Sequence, residues 1–128
     1  TALQPLQVLL VEDDPTVAQV ITGLLTARGH QVIHAAHGLA ALAEVGGQTF
    51  DVGLLDLDLP ALDGIALAGQ LRGSGHRFPL IAVTARADAQ AEQLARAAGM
   101  VGFLRKPVTG QMLVDAIAEA LAATGQAQ

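Results

Sequence analysis

Apolar and polar positions follow two rhythms along this chain. Short uninterrupted apolar runs at 8–11, Val52–Leu55, 80–83 and 101–104 are each bounded by polar or turn residues, the pattern of strands buried on both faces. Between them lie longer Ala- and Leu-rich stretches with apolar residues three and four apart, the period of an amphipathic helix. A less apolar run at 30–36 reads as one further strand, second in the chain. This alternation predicts βα units and a parallel sheet. Five strands with five helices make an open, doubly wound α/β sandwich, whose ligands sit beyond the C-terminal strand ends.

Local signals set the helix ends. Asp14-Pro15 reads as an N-cap followed by proline at the first helical position. Val17, Val20, Ile21, Leu24 and Leu25 then share one face, and Gly29 is the stop. A short helix at 39–45 closes at Gly46-Gly47, and the loop at 56–63 contains Pro60. Asp63-Gly64 closes a turn and starts a helix carrying Ile65, Leu67, Ala68 and Leu71. The helix at 87–98 has Leu94 as its only large apolar residue, so alanine must supply the rest of its inner face. It buries the least apolar area and is the least firmly anchored helix. The last helix, 111–122, packs Leu113, Val114, Ile117 and Leu121, and 124–128 reads as a frayed end.

The four buried runs share a second property: each ends in polar groups suited to handling a phosphoryl group. They are Glu12-Asp13-Asp14, Asp56, Thr84 and, shortly after the last run, Lys106-Pro107. In a parallel sheet these ends meet at one edge. A carboxylate such as Asp56 can attack phosphorus and form an aspartyl-phosphate. Its charge repels the donor, so a cation is required. Glu12 and Asp13 offer hard oxygen ligands for Mg²⁺, which would bridge Asp56 and the phosphoryl oxygens. Lys106 adds a point charge and the Thr84 hydroxyl a hydrogen bond.

Composition narrows the class. The 128 residues fit one domain, read as 1–128 with a core at about 7–122. With 52% hydrophobic and 15% charged residues, the composition argues against disorder. A net charge of −5 without a basic stripe argues against direct nucleic-acid binding. No apolar stretch approaches ~18–20 residues, so no membrane contact is expected. The absence of cysteine fits a reducing, cytoplasmic compartment. Thr1 is not an initiator methionine, which suggests a segment of a longer chain. The four histidines, His30, His34, His37 and His76, are dispersed and read as surface or internally satisfied residues rather than a zinc site.

The motifs V-E-D-D-P at 11–15, L-L-D-L-D-L-P at 54–60, V-T-A at 83–85 and F-L-R-K-P at 103–107 occur in order. Over residues 7–121 the chain resembles the receiver domain of two-component response regulators. The resemblance implies a flavodoxin-like (βα)5 fold with strand order 2-1-3-4-5. It implies Asp56 as phosphoacceptor, Asp13 as a direct Mg²⁺ ligand, Glu12 as a ligand through water, and the Asp58 backbone carbonyl as a further ligand. Thr84 and Lys106 would bind the phosphoryl group, and the Lys106-Pro107 bond would be cis. Thr84 would move inward on phosphorylation with Phe103 following, a switch that acts by packing alone because phenylalanine has no hydroxyl. The implied donor is a histidine kinase. The run at 99–108 resembles receivers of hybrid histidine kinases, which pass the group to a histidine phosphotransfer domain. A stand-alone regulator is the close alternative, and output would be through protein contact at the fourth helix and fifth strand, or through domains missing from this segment.

Two expectations are particular to this chain. Glu12, Asp13, Asp14, Asp56 and Asp58 would crowd one crevice, so Mg²⁺ should raise thermal stability. Asp58 and Arg86 would pair across the mouth, restrict the hydrolytic water and set the phosphate lifetime. Other classes fit less well. A haloacid-dehalogenase-like phosphatase would use Asp56-Leu57-Asp58 as its D-x-D motif, yet Pro60 follows and no room remains for a cap. A flavin-binding domain lacks a Ser/Thr/Gly phosphate loop and any Tyr or Trp to stack on the ring.

Overall fold

The computed structural model describes residues 4–86 and 88–124. Strands β1 (Gln7–Val11), β2 (Gln31–Ala35), β3 (Val52–Leu55), β4 (Leu80–Thr84) and β5 (Gly102–Arg105) alternate with helices α1 (Pro15–Thr26), α2 (Gly38–Gly47), α3 (Gly64–Gly73), α4 (Ala89–Ala97) and α5 (Gly110–Ala123). The sheet order is β2-β1-β3-β4-β5 with every pairing parallel, as the alternation of periods predicts. β3 and β4 are buried throughout because helices cover both faces.

The strand period of two divides the core into two layers. Leu9, Val11, Leu55, Leu80 and Ala82 face α2, α3 and α4. Val8, Leu10, Val52, Leu54, Ile81 and Val83 face α1 and α5, where Ile21, Leu25, Leu113, Ile117 and Leu121 close the other layer. Thr84 continues the Leu80–Ala82 face, and register places Phe103 beside Ala82 and Arg105 beside Thr84. The end of β4 and the switch candidate on β5 therefore share the face covered by α4.

Caps fix where each helix begins. Asp14 accepts hydrogen bonds from Thr16 N and Val17 N, with Pro15 opening the helix as expected. Asp63, Asp88 and Thr109 do the same for α3, α4 and α5. Gly29 takes φ +90° where α1 turns into β2, a region open to glycine at little cost. The boundaries differ modestly from those read in the sequence. β2 begins at Gln31, because His30 is buried in the turn and accepts the Leu6 N–H at Nδ1. α2 is longer than 39–45 because His37 Nδ1 accepts the Ala40 N–H and caps it. Thr124, placed in the frayed end, is the C-cap of α5, its hydroxyl within hydrogen-bond reach of the Ala120 and Leu121 carbonyls. The expected helix start at Ala87, the terminal Thr1 and residues 125–128 lie outside the described residues.

One assignment is corrected. Leu94 does not line the inner face of α4 but is 42% exposed, while Ala91 and Ala95 are fully buried. The four-residue step from 91 to 95 carries the inward stripe, and Leu94 falls on its flank. Helix α4 is thus held by alanines alone, more lightly than the sequence implies.

Candidate functional site

Parallel pairing brings the ends of β1, β3, β4 and β5 to one edge. Glu12 continues β1, its N–H bonded to the Ala35 carbonyl, and Asp56 continues β3, its N–H bonded to the Val11 carbonyl. Both side chains are buried, Glu12 at 1% and Asp56 at 6% exposure. Lys106 reaches them from beyond β5, with Nζ 2.9 Å from Asp56 Oδ2 and 2.5 Å from Glu12 Oε1. Its backbone N–H bonds the Thr84 carbonyl, so the loop after β5 is tied to the end of β4. The Lys106-Pro107 peptide is cis, as the resemblance implied.

Electrostatics at this edge are lopsided. Burial pushes the Glu12 carboxyl above its ordinary range, against the lowering effect of the Lys106 and Asp14 hydrogen bonds. Burial alone would lower the Lys106 ammonium, yet its hydrogen bonds to Glu12 and Asp56 prevail and hold it above its usual value. One ammonium thus serves two buried carboxylates. Carboxylate oxygens of Glu12, Asp13 and Asp56 lie within 4.8 Å of one another, two buried and one exposed. That set of hard oxygens, open on the Asp13 side, fits a divalent cation that keeps several waters.

The crowding is less than the five acids expected. Asp14 is turned to the α1 N-terminus as a cap, and Asp58 faces Thr84. Asp58 N donates to Asp56 Oδ1 at 3.0 Å, closing the loop over that carboxylate. Thr84, fully buried, donates from Oγ1 to Asp58 Oδ2 at 3.3 Å and accepts the Arg86 N–H at 3.3 Å. Arg86 does not pair with Asp58 across the mouth. Its guanidinium is taken by Asp88 at 3.3 Å, two residues on and already fixed as the α4 cap. Asp58 and Arg86 nevertheless line one cleft of about 460 Å³, together with Asp13 and Pro60.

Phe103 is half-buried against the core on the α4 side, with the Arg105 guanidinium carbon 6.0 Å from its ring centre. Two contributors were not picked out from the sequence for the site. His34 Nε2 lies 2.7 Å from the Glu12 carbonyl and ties the β2 edge to the acidic turn. A Cβ on Gly64 would stand 2.2 Å from the Asp56 carbonyl oxygen, so only glycine lets α3 start this close to the site. The Asp63-Gly64 turn signal located that residue but not its neighbour.

A family model described as the response regulator receiver domain matches residues 8–118. The chain belongs to that family, the phosphoacceptor modules of two-component signalling. The transcriptional regulatory protein KdpE of Mycobacterium tuberculosis is 38% identical over 78% of this chain and 44% of its own length. The sensor histidine kinase RcsC of Salmonella typhimurium is 32% identical over 88% of this chain and 12% of its own length. The chain therefore spans less than half of either relative. Among solved structures, the Vibrio cholerae chemotaxis protein CheY4 superposes with a TM-score of 0.87 at 27% identity, covering 92% of this chain and all of that one. The receiver domain of the Pseudomonas aeruginosa sensor histidine kinase PA1611, with magnesium coordinated in its active-site cleft, superposes at 0.84 and 31% identity, covering 93% of this chain and 99% of that one. The strand order 2-1-3-4-5 that the resemblance implied is the order found in this chain.

Proposed function

We propose that Asp56 is the phosphoacceptor of this receiver and that its donor is a phosphohistidine on a histidine kinase or a histidine phosphotransfer domain. The bond from phosphorus to the donor imidazole nitrogen breaks as one from phosphorus to an Asp56 carboxylate oxygen forms. The imidazole leaves with the electron pair and takes up a proton. The observation that carries this reading is the Lys106–Asp56 contact beside the buried Glu12 and the exposed Asp13. A nucleophile, its counter-charge and a set of metal ligands stand within one cluster.

Glu12, Asp13, Asp56 and the Asp58 backbone carbonyl are the residues to hold Mg²⁺, which when bound supplies positive charge to the transferring oxygens. Lys106 contributes a second positive charge and the Thr84 hydroxyl a hydrogen bond. Thr84 and Phe103 form the switch, for which their shared sheet face is the support. The lightly anchored α4 and β5 form the output surface. The domain acts as a signalling element, with self-catalysed phosphorylation and dephosphorylation as its only chemistry. It works in the cytoplasm through protein contacts rather than nucleic acid or membrane. Residues 1–128 form a single receiver unit, and its likeness to RcsC and PA1611 favours a place in a hybrid histidine kinase.

Incubation with acetyl phosphate and Mg²⁺ tests this directly by intact mass. One phosphoryl group should appear on the wild type and none on Asp56→Ala. Steady turnover of varied phosphate esters without an adduct would instead indicate a phosphatase. Saturating Mg²⁺ should also raise the melting temperature, since at a hundredfold excess over Kd a folded-state ligand adds about 2.7 kcal/mol. An unchanged melting curve would remove the metal from the account.

A further inference from the structure

A hydroxyl has one proton to donate. Thr84 already spends it on Asp58 Oδ2 at 3.3 Å, while its oxygen accepts the Arg86 N–H. Thr84 is fully buried at the end of β4, so no solvent competes for that proton. Asp58 is itself held by the acceptor, its N–H on Asp56 Oδ1 at 3.0 Å. Arg86, two residues beyond Thr84, is engaged by Asp88 and leaves the Asp58 carboxylate to Thr84.

We propose that the Asp58 carboxylate is a resting-state latch on Thr84, which a phosphoryl oxygen at Asp56 must displace before Thr84 can turn to it. The inference rests on Asp56 being the acceptor and adds a competitor for the switch residue. Two acceptors, one carboxylate and one phosphoryl oxygen, exclude each other for a single proton. The resting pair Thr84–Asp58 therefore sets how far phosphorylation shifts the switch. Phe103 lies on the same sheet face and would respond to the Thr84 position rather than to the phosphoryl group itself.

Beryllofluoride with Mg²⁺, a non-covalent mimic of the phosphoryl group, provides the probe, with its affinity measured by NMR titration. Asp58→Ala removes both a negative charge and the competing acceptor, whereas Asp58→Asn removes the charge and keeps an acceptor. Thr84→Val removes the proton without changing shape. The latch predicts that Asp58→Ala strengthens beryllofluoride binding about fivefold more when Thr84 is present than in the Thr84→Val background, the net scale of one ordinary hydrogen bond. Asp58→Asn should give a smaller gain than Asp58→Ala.

A second readout needs no double variant. In the ligand-free domain, the Thr84 methyl resonance should move in Asp58→Ala toward its beryllofluoride-bound position. Equal gains in both backgrounds, with an unmoved methyl resonance, would reduce Asp58 to a bystander charge and overturn the latch. If wild type bound no beryllofluoride and took no phosphoryl group, the acceptor assignment would fail and the latch with it. Binding at Asp56 with an additive cycle would sink the latch alone.

Discussion

Helices α4 and α5 flank the same edge strand and are built on opposite principles. α5 buries Leu113, Ile117 and Leu121 with Ala120, all at 2% exposure or less, against α1 and the central strands. α4 buries only Ala91 and Ala95 and leaves Leu94 in solvent. At roughly 25 cal/mol per Å², a buried leucine or isoleucine contributes far more than an alanine. One helix is fastened by its core, the other mainly by its cap and its light packing. The loop leading into α4 carries Arg86 and Asp88, next to the Thr84 hydroxyl. Elements that move in switching come from the low-stability end of a structure. The difference between the two helices therefore gives the acidic edge a soft neighbour and a hard one.

The sharpest way to test that contrast is to remove one apolar side chain from each helix. Ile117→Ala should cost about 2–5 kcal/mol in urea unfolding, as for other large-to-small changes in a packed core. A loss no larger than that of a surface change would contradict the tight anchoring of α5.

Acid should expose the next weakest point on the tightly packed side. Burial, with some help from Arg28, holds the His30 imidazole below its ordinary value, and its neutral Nδ1 accepts the Leu6 N–H. The unfolded chain therefore binds a proton more readily than the folded one. Its stability contribution is complete above the ordinary histidine value of about 6.5 and falls away as pH drops through and below it. Buried Glu12, raised instead, titrates with the opposite sign. The comparison must therefore be between wild type and His30→Gln, which keeps an acceptor and does not titrate. The wild type should lose more stability between pH 7 and 5, roughly the window just below that reference value. Parallel pH curves would exclude His30.

Smaller effects belong to α4. Asp88→Ala should speed amide exchange across Ala89–Ala97, because the Ala91 N–H loses its acceptor and Arg86 its partner, while α5 keeps its protection. Leu94→Ala should change global stability by no more than about 0.5 kcal/mol, the range of ordinary surface substitutions. A loss on the scale of Ile117→Ala would return Leu94 to the core.

The strands and the groups at their ends were legible because a buried parallel strand is a run of apolar residues with a sharp polar end. Asp14-Pro15 and Gly29 were legible for the same reason: each answers a local backbone requirement. The phase of α4 was not. Alanine occupies nearly every turn of that segment, so hydrophobicity does not distinguish its faces. Caps made by His37 and Asp88 were missed because neither precedes a clear apolar period. Partner choice among charged groups also eluded the sequence. Arg86 could reach either Asp58 or Asp88, and only the loop geometry sends it to Asp88 and gives Asp58 to Thr84.

The most direct measurement is hydrogen exchange on the wild type and Asp56→Ala, each with acetyl phosphate and Mg²⁺ and each without. Phosphorylation of the wild type should change exchange in α4 and β5 while leaving α5 unchanged, and Asp56→Ala should show no change. An equal response in α5, or none anywhere in a fully phosphorylated wild type, would contradict the claim that chemistry at the acidic edge is read out through its lightly held neighbour.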